Sequence, residues 1–308
     1  MGCALVWKRF LAPFGDLTQR NTEDPKIIDM KFLEEKIAHM LMVLSVIIVA
    51  FFVFSVVGSI LWRGLPALSW DMITKVPTGG FYIGGEGGFL NAILGSLYIV
   101  LASTLIGLVI SIPVVFYLNV YLKPKSKFAA VARLAYDVLF GVPSIVYGAF
   151  GFTIMIWLGL RASLLGGIIV ETLLVIPILI RTIDEVAKNI PRGMLESSYS
   201  LGATRLDTIG IVVRQIGPAI ATATLLAVGR SIGDAAGVMF TAGFSDQIPT
   251  HLDDPAATLP LSVFFQLSAH QQAVQDHAYA AAVVLTVIVL ILSLSSRFIL
   301  AKFSKNKV

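Results

Sequence analysis

Residues 229–241 read Gly-Arg-Ser-Ile-Gly-Asp-Ala-Ala-Gly-Val-Met-Phe-Thr, placing an arginine and an aspartate in an otherwise apolar, helix-length run. Each ionised group at bilayer depth costs roughly 2.5–3.5 kcal/mol on insertion scales, so such groups persist where they pair, line a wet cavity or handle a charged solute. Arg230 and Asp234 are four positions apart, and one continuous helix would set them on one face about a turn from each other. Gly229, Gly233 and Gly237 then form a small-residue stripe that lets another helix approach closely. The spacing points to a functional charge pair buried among packed helices; an ion pair that only fixes helix register is the alternative. Two more ionisable residues fall in apolar stretches. Glu171 can pair with an arginine of this chain or a partner, or stand as a structural acid facing a cavity. Arg181 can gate a path, or it can snorkel to the membrane interface.

The composition belongs to a multi-spanning membrane protein, and its helix-length apolar stretches make the expected class an all-α membrane protein. Of 308 residues, 56% are hydrophobic and only 14% charged, against about a quarter charged in soluble domains. The single cysteine, Cys3, leaves no disulfide framework or thiolate metal site within the chain. Lys8 and Arg9 are followed by polar sequence rather than an apolar core, unlike a cleavable signal peptide.

Six stretches are long enough to cross about 30 Å of hydrocarbon as helices: 37–62, 91–121, 131–158, 163–183, 216–242 and 277–301. Pro113, Pro143 and Pro177 fall inside them and should bend them, which packed membrane helices tolerate. Basic residues set the orientation. Lys8, Arg9, Arg20, Lys26, Lys31 and Lys36 precede the first span; Lys123, Lys125, Lys127 and Arg133 follow the second. Lys188, Arg192, Arg205 and Arg214 follow the fourth, and Arg297, Lys302, Lys305 and Lys307 lie at the end. The other connections offer only Arg63, Lys75 and Arg161. This alternation predicts a multi-pass protein of the cell (inner or plasma) membrane with both termini cytoplasmic. The expected division is a cytoplasmic segment 1–36, a first span 37–62 and an outer loop 63–90. A five-helix core 91–302 follows, with a cytoplasmic loop 184–213 and a tail 303–308.

The fifth connection gathers Asp246, Asp253, Asp254 and Asp276 beside His251, His270 and His277, in no metal-ligand spacing, so it reads as a solvated or partner-docking loop. The glycines at 79–80 and 84–88 read as a flexible loop, although such backbone can also nest an anion. Gly229-Arg-Ser231-Ile-Gly233 satisfies G-x-S-x-G, but a serine hydrolase needs a strand–turn–helix and a histidine partner that a mid-helix position denies it.

The inside loop 184–213 is amphipathic rather than loop-like, and reads as two short helices broken at Pro191. Within it stands Glu196-Ser-Ser-Tyr-Ser-Leu-Gly202-Ala-Thr-Arg205. It resembles the coupling loop of binding-protein-dependent ABC transporter permeases, with an acid, two small residues and a later glycine. Glu196 and Gly202 match that pattern; Ser197 and Ser198 replace the usual alanines, and Ala203 and Arg205 follow. A proline some nineteen positions after the acid is replaced by Arg214-Gln215, with Pro218 beyond. Gly87–Leu97, Ile180–Glu185, Gly229–Ala236 and Phe240–Gly243 resemble phosphate-uptake permeases more narrowly. Thr258–Ser262 and Ala278–Ala282 are similar to the A-type subunit rather than its C-type partner.

The resemblance implies a six-helix importer permease of the MetI-like fold that moves inorganic phosphate inward by alternating access. It implies a second, C-type permease, two copies of an ATP-binding subunit and an external phosphate-binding protein as partners in the lipid membrane, and no nucleic acid. The chain has no G-x-x-x-x-G-K-[ST], so ATP and Mg²⁺ are expected in the partner ATPase and no cofactor in this chain. Arg230, Asp234, Arg181 and Glu171 are the expected substrate path. Glu196, Ser197, Ser198, Gly202, Ala203 and Arg205 are the expected ATPase contact. Another oxyanion (sulfate, molybdate or phosphonate), or an ATP-independent anion channel or transporter, stands as the alternative.

Overall fold

The computed structural model describes residues 25–78, 87–122 and 126–304, and divides the chain into units 1–59 and 60–308. Glycines 79–80 and 84–85, the basic residues before position 25, Lys123, Lys125, Lys305 and Lys307 lie outside the described residues. The first unit carries most of α1 (Pro25–Ala67), whose apolar side chains Val46, Phe51, Phe52 and Phe54 are exposed. This helix begins well before the expected span at 37. At 1.5 Å per residue it exceeds the bilayer core, so part of it projects beyond the hydrocarbon.

In the second unit, the short α2 (Trp70–Thr74) precedes α3 (Leu90–Phe116), which runs into a π-helical turn at Tyr117–Tyr121. Then come α4 (Lys127–Gly141), α5 (Ser144–Trp157), α6 (Leu164–Ala187), α7 (Arg192–Ser200), α8 (Arg205–Ser231), α9 (Leu259–Leu267) and α10 (Gln272–Ser304). Among the described residues there is no strand, only one isolated bridge between Pro77 and Gly87. Among the described residues, five helices are long and apolar enough to cross a membrane, and α4 with α5 makes a sixth crossing if taken as one bent span.

α6 is the central helix, packed on α3, α4, α5 and α8. Its start is capped by Ser163, whose side chain accepts from the Gly166 amide, and its Val175, Leu179 and Ile183 are fully buried with Ile216, Ala223 and Ala227 of α8. Lipid is as apolar as these side chains, so close packing rather than water exclusion holds such helices together. A second cluster joins Phe89 and Ala92 to Leu259, Ala280 and Ala281, bringing the two A-type-like motifs into one core.

The bend expected at Pro143 is present and breaks the third span, 131–158, into two helices: α4 and α5 meet at 99° across Val142-Pro143. Proline lacks the amide that a helix needs, and it drives the residue before it out of the helical region; Val142 sits at φ −71°, ψ 131°. The fifth runs from Arg205 to Ser231 rather than 216–242. Of the two amphipathic helices expected in 184–213, the one before Pro191 is the end of α6, and the one after it divides at Gly202 into α7 and the start of α8. Beyond Ser231 the chain turns, because the Asp234 carboxylate binds the amides of Ala236 and Gly237 and so competes with the helical ladder. Pro177, by contrast, lies inside α6 without ending it.

Candidate translocation site and coupling loop

The helix end at Ser231 changes the geometry expected of the charge pair. Arg230 closes α8 and is exposed, whereas Asp234 lies in the turn beyond, so the two do not share a helix face. No ion pair joins them among the described residues. Asp234 Oδ1 instead accepts the Ser144 hydroxyl of α5 at 3.0 Å, with the amides of Ala236 and Gly237 at 3.0 and 3.2 Å. The glycine stripe is corrected with it. Gly229 has open space around its Cα, Gly233 is exposed, and only Gly237 is buried. The close approach belongs to Gly148 of α5, where a Cβ would lie 2.7 Å from the Gly237 carbonyl oxygen and 2.8 Å from that of Ala236.

Glu171 of α6 reaches the same place. A Cβ on Gly237 would stand 3.4 Å from Asp234 Oδ2 and 3.5 Å from Glu171 Oε2, so the two carboxyl groups flank one glycine. Glu171 is 1% exposed, and neither of its oxygens has a hydrogen-bond partner among the described residues. Ser231 faces it without closing a hydrogen bond, and Asp234 and Arg230 are the charged groups that act on it. Arg181 is not part of this group. Its Nε lies 3.5 Å from Asp137 Oδ1, and its guanidinium sits 4.4 Å from the Phe140 ring centroid. Ser144 and Asp137 were not foreseen from sequence; the Pro143-Ser144 pair, a helix-start signal inside an apolar run, could have flagged Ser144.

The coupling loop is built by local chemistry. α7 starts after Pro191 and closes with the Ala203 amide on the Ser198 carbonyl at 3.1 Å and the Gly202 amide on that of Tyr199 at 3.0 Å. That paired closure needs a left-handed residue, and Gly202 supplies it at φ +83°. Thr204 and Asp207 then form a reciprocal capping box that starts α8. Glu196, Ser197, Gly202 and Arg205 face outward, with Arg205 over the Tyr121 ring at 5.4 Å. Ser198 is buried against Thr208, their hydroxyl oxygens 3.2 Å apart, and Ala203 is half-buried. Leu201 and Leu206, on either side of the Thr204 cap, are 89% and 72% exposed, apolar side chains that call for a cover.

In the connection 243–276, Asp254 organises a tight turn. Its Oδ2 accepts the His251 amide at 2.8 Å and the Thr250 amide at 2.9 Å. These amides hold its carboxyl below the usual carboxylate range. A depressed pKa stabilises the turn above the ordinary value of about 4 and loses that effect as pH falls through the lowered one. Protection of the Thr250 and His251 amides is therefore expected to persist at pH 5 and to decline only under stronger acid, as read by hydrogen exchange. Asp254→Ala should abolish it at every pH.

Residues 111–307 match the family described as binding-protein-dependent transport system inner membrane component. The phosphate transport system permease protein PstA of Haemophilus influenzae is 32% identical over 255 residues, spanning 82% of this chain and 89% of that protein. PstA of Pasteurella multocida is 30% identical, over 89% of this chain and 96% of its own. The chain belongs to this transport permease family, in its PstA group. Its fold recurs in a chain of the MetNI methionine ABC transporter solved in inward facing conformations, at a TM-score of 0.56 and 17% identity over 70% of this chain and 95% of that one. The permease is thus a multi-pass, all-α membrane protein of the importer class.

Proposed function

We propose that the permease is the A-type subunit of an ATP-driven importer that carries inorganic phosphate into the cell. The observation that carries this reading is the near full-length similarity to PstA proteins. The site agrees with it chemically. A phosphate mono- or dianion leaving water needs positive charge and several donors, and a guanidinium offers both in a planar fork. Arg230 is an exposed cation at the end of a span, with no carboxylate ion-paired to it among the described residues. Arg230 and Arg181 are both exposed on this chain, which supports a path between this subunit and a homologous, PstC-like permease. Among the described residues, the hydrogen bonds that Asp234 accepts all fall on Oδ1, leaving Oδ2 to accept a hydrogen bond from a proton-bearing phosphate oxygen, which fully ionised sulfate does not offer. Glu171 lies behind that carboxylate.

In this reading both termini face the cytoplasm, α7 docks in a PstB-like ATPase present in two copies, and a PstS-like protein delivers phosphate from outside. ATP and Mg²⁺ stay with the ATPase. Exposed Leu201 and Leu206 beside Glu196 and Ser197 are the surface that docking would cover. Gly202→Val forces a β-branched residue into left-handed backbone, at a cost of about 1–3 kcal/mol. The expected outcome is loss of ATPase co-purification and of uptake while the subunit still inserts, checked by pull-down against membrane abundance. The deciding experiment is radiolabelled phosphate uptake, with sulfate, molybdate and phosphonate as competitors, in cells with and without this subunit. Uptake of another oxyanion that depends on the subunit, with phosphate unaffected, would replace phosphate as the cargo.

A further inference from the structure

The end of α6 that leads into α7 holds the most heavily bonded carboxylate among the described residues, and the path does not use it. Asp184 is fully buried. Its Oδ1 accepts Asn119 Nδ2 at 2.7 Å and Arg133 Nη2 at 3.1 Å. Its Oδ2 accepts Arg133 Nε at 2.9 Å and the Tyr136 hydroxyl, and pairs with Lys188 Nζ at 3.0 Å. Arg133 Nη2 also reaches Asn119 Oδ1 at 3.2 Å, closing the group into a ring. These donors come from three places: the π turn after α3, the helix α4, and the C-cap of α6. The π turn is where α3 takes in extra backbone, and Asn119 sits in its middle.

Beside this hub lies a cavity of about 380 Å³. Asn119, Arg133 and Lys188 line it together with Leu195, Glu196 and Tyr199 of α7. The side chains that grip Asp184 therefore border the space next to the coupling helix. Only residues 188–191, ending in Pro191, separate α6 from α7. A push on α7 has room to proceed without repacking the core, and a short stiff connection to transmit it.

We infer that Asp184 is a positioning residue for energy coupling: it ties α3 and α4 to the root of α7, so that those helices follow when α7 moves. Interior carboxylate networks have discrete arrangements rather than graded ones, which suits a rigid link between two end states. The inference rests on the reading of α7 as the ATPase-docking helix.

The test is hydrogen exchange in the complete transporter with its ATPase, without nucleotide and with a non-hydrolysable ATP analogue. In the wild type, the nucleotide is expected to alter exchange both in 192–204 and in 115–136. In Asp184→Asn the response of 192–204 should remain while that of 115–136 falls about fivefold or more. Asn119→Ala with Tyr136→Phe, which keeps the Arg133–Asp184 pair, should weaken it about twofold. A response of 115–136 in Asp184→Asn equal to wild type overturns the inference. Should Asp184→Asn fail to assemble, an undiminished response in the double variant overturns it instead. No response of 192–204 in the wild type would remove the docking reading and this inference with it, whereas absent phosphate uptake in the same wild-type preparation would count against the cargo alone.

Discussion

Arg230→Gln is expected to lower phosphate uptake about a hundredfold, because hydrogen bonds to a charged group are worth about 1.5–3 kcal/mol and the guanidinium supplies a paired set. The side chain is exposed and makes no hydrogen bond or ion pair to another described residue, and it acts on the one buried group it influences, Glu171, through space rather than by contact, so its removal breaks no packed contact. Membrane abundance and ATPase association should therefore stay at wild-type level, and that separation makes the result diagnostic. Arg230→Lys keeps the charge and loses the fork; an intermediate loss of about tenfold is expected. The measurement is initial-rate uptake normalised to purified complex. Wild-type uptake in Arg230→Gln would remove Arg230 from the path.

Gly148→Ala should be nearly as damaging for a different reason. The added methyl would meet the carbonyl oxygens of Gly237 and Ala236 at 2.7 and 2.8 Å, and backbone cannot step aside as a side-chain tip can. Overpacking of this kind costs about 1–3 kcal/mol. The strain falls on the segment that carries Asp234, one turn of α5 away from the Ser144 contact. A lowered melting temperature in detergent and a loss of most uptake are expected together. Gly229→Ala is the control: a Cβ there meets nothing within 4 Å, and a helical glycine replaced by alanine should be neutral or slightly stabilising.

The apolar stretches were legible in composition and length, and so was the amphipathic loop with its glycine turn. The bend at Pro143 was legible too, though not that it splits the run into α4 and α5. A hydropathy window registers that a residue is apolar or small, but not what its backbone can do. Asp234, bonded to the amides two and three residues on, ends α8 some eleven residues before the expected boundary. Once α8 ends at Ser231, four-residue spacing no longer implies a shared face, and the Arg230–Asp234 pair dissolves for that reason. The partner Asp234 has instead, Ser144, comes from α5, and those of Arg181, Asp137 and Phe140, come from α4, all distant in sequence. The Asp184 hub was missed in the same way. Asp184 and Lys188 at helical spacing were visible, as were Arg133 and Tyr136, but nothing local says that α3, α4 and α6 converge there.

The right-angled corner at Val142-Pro143 carries an obligation. The carbonyls ending α4 and the amides opening α5 cannot all find partners inside the corner; the Leu139 carbonyl does, taking the Val142 amide at 3.1 Å and the Tyr147 hydroxyl at 2.9 Å. Hydrocarbon offers no hydrogen bonds to the remainder, so bare backbone at this depth is tolerated only against protein or water. An orphan copy, synthesised without its companion permease, would expose that elbow to lipid. Such a chain should be short-lived in the cell, cleared by membrane proteases until its counterpart arrives to shield it.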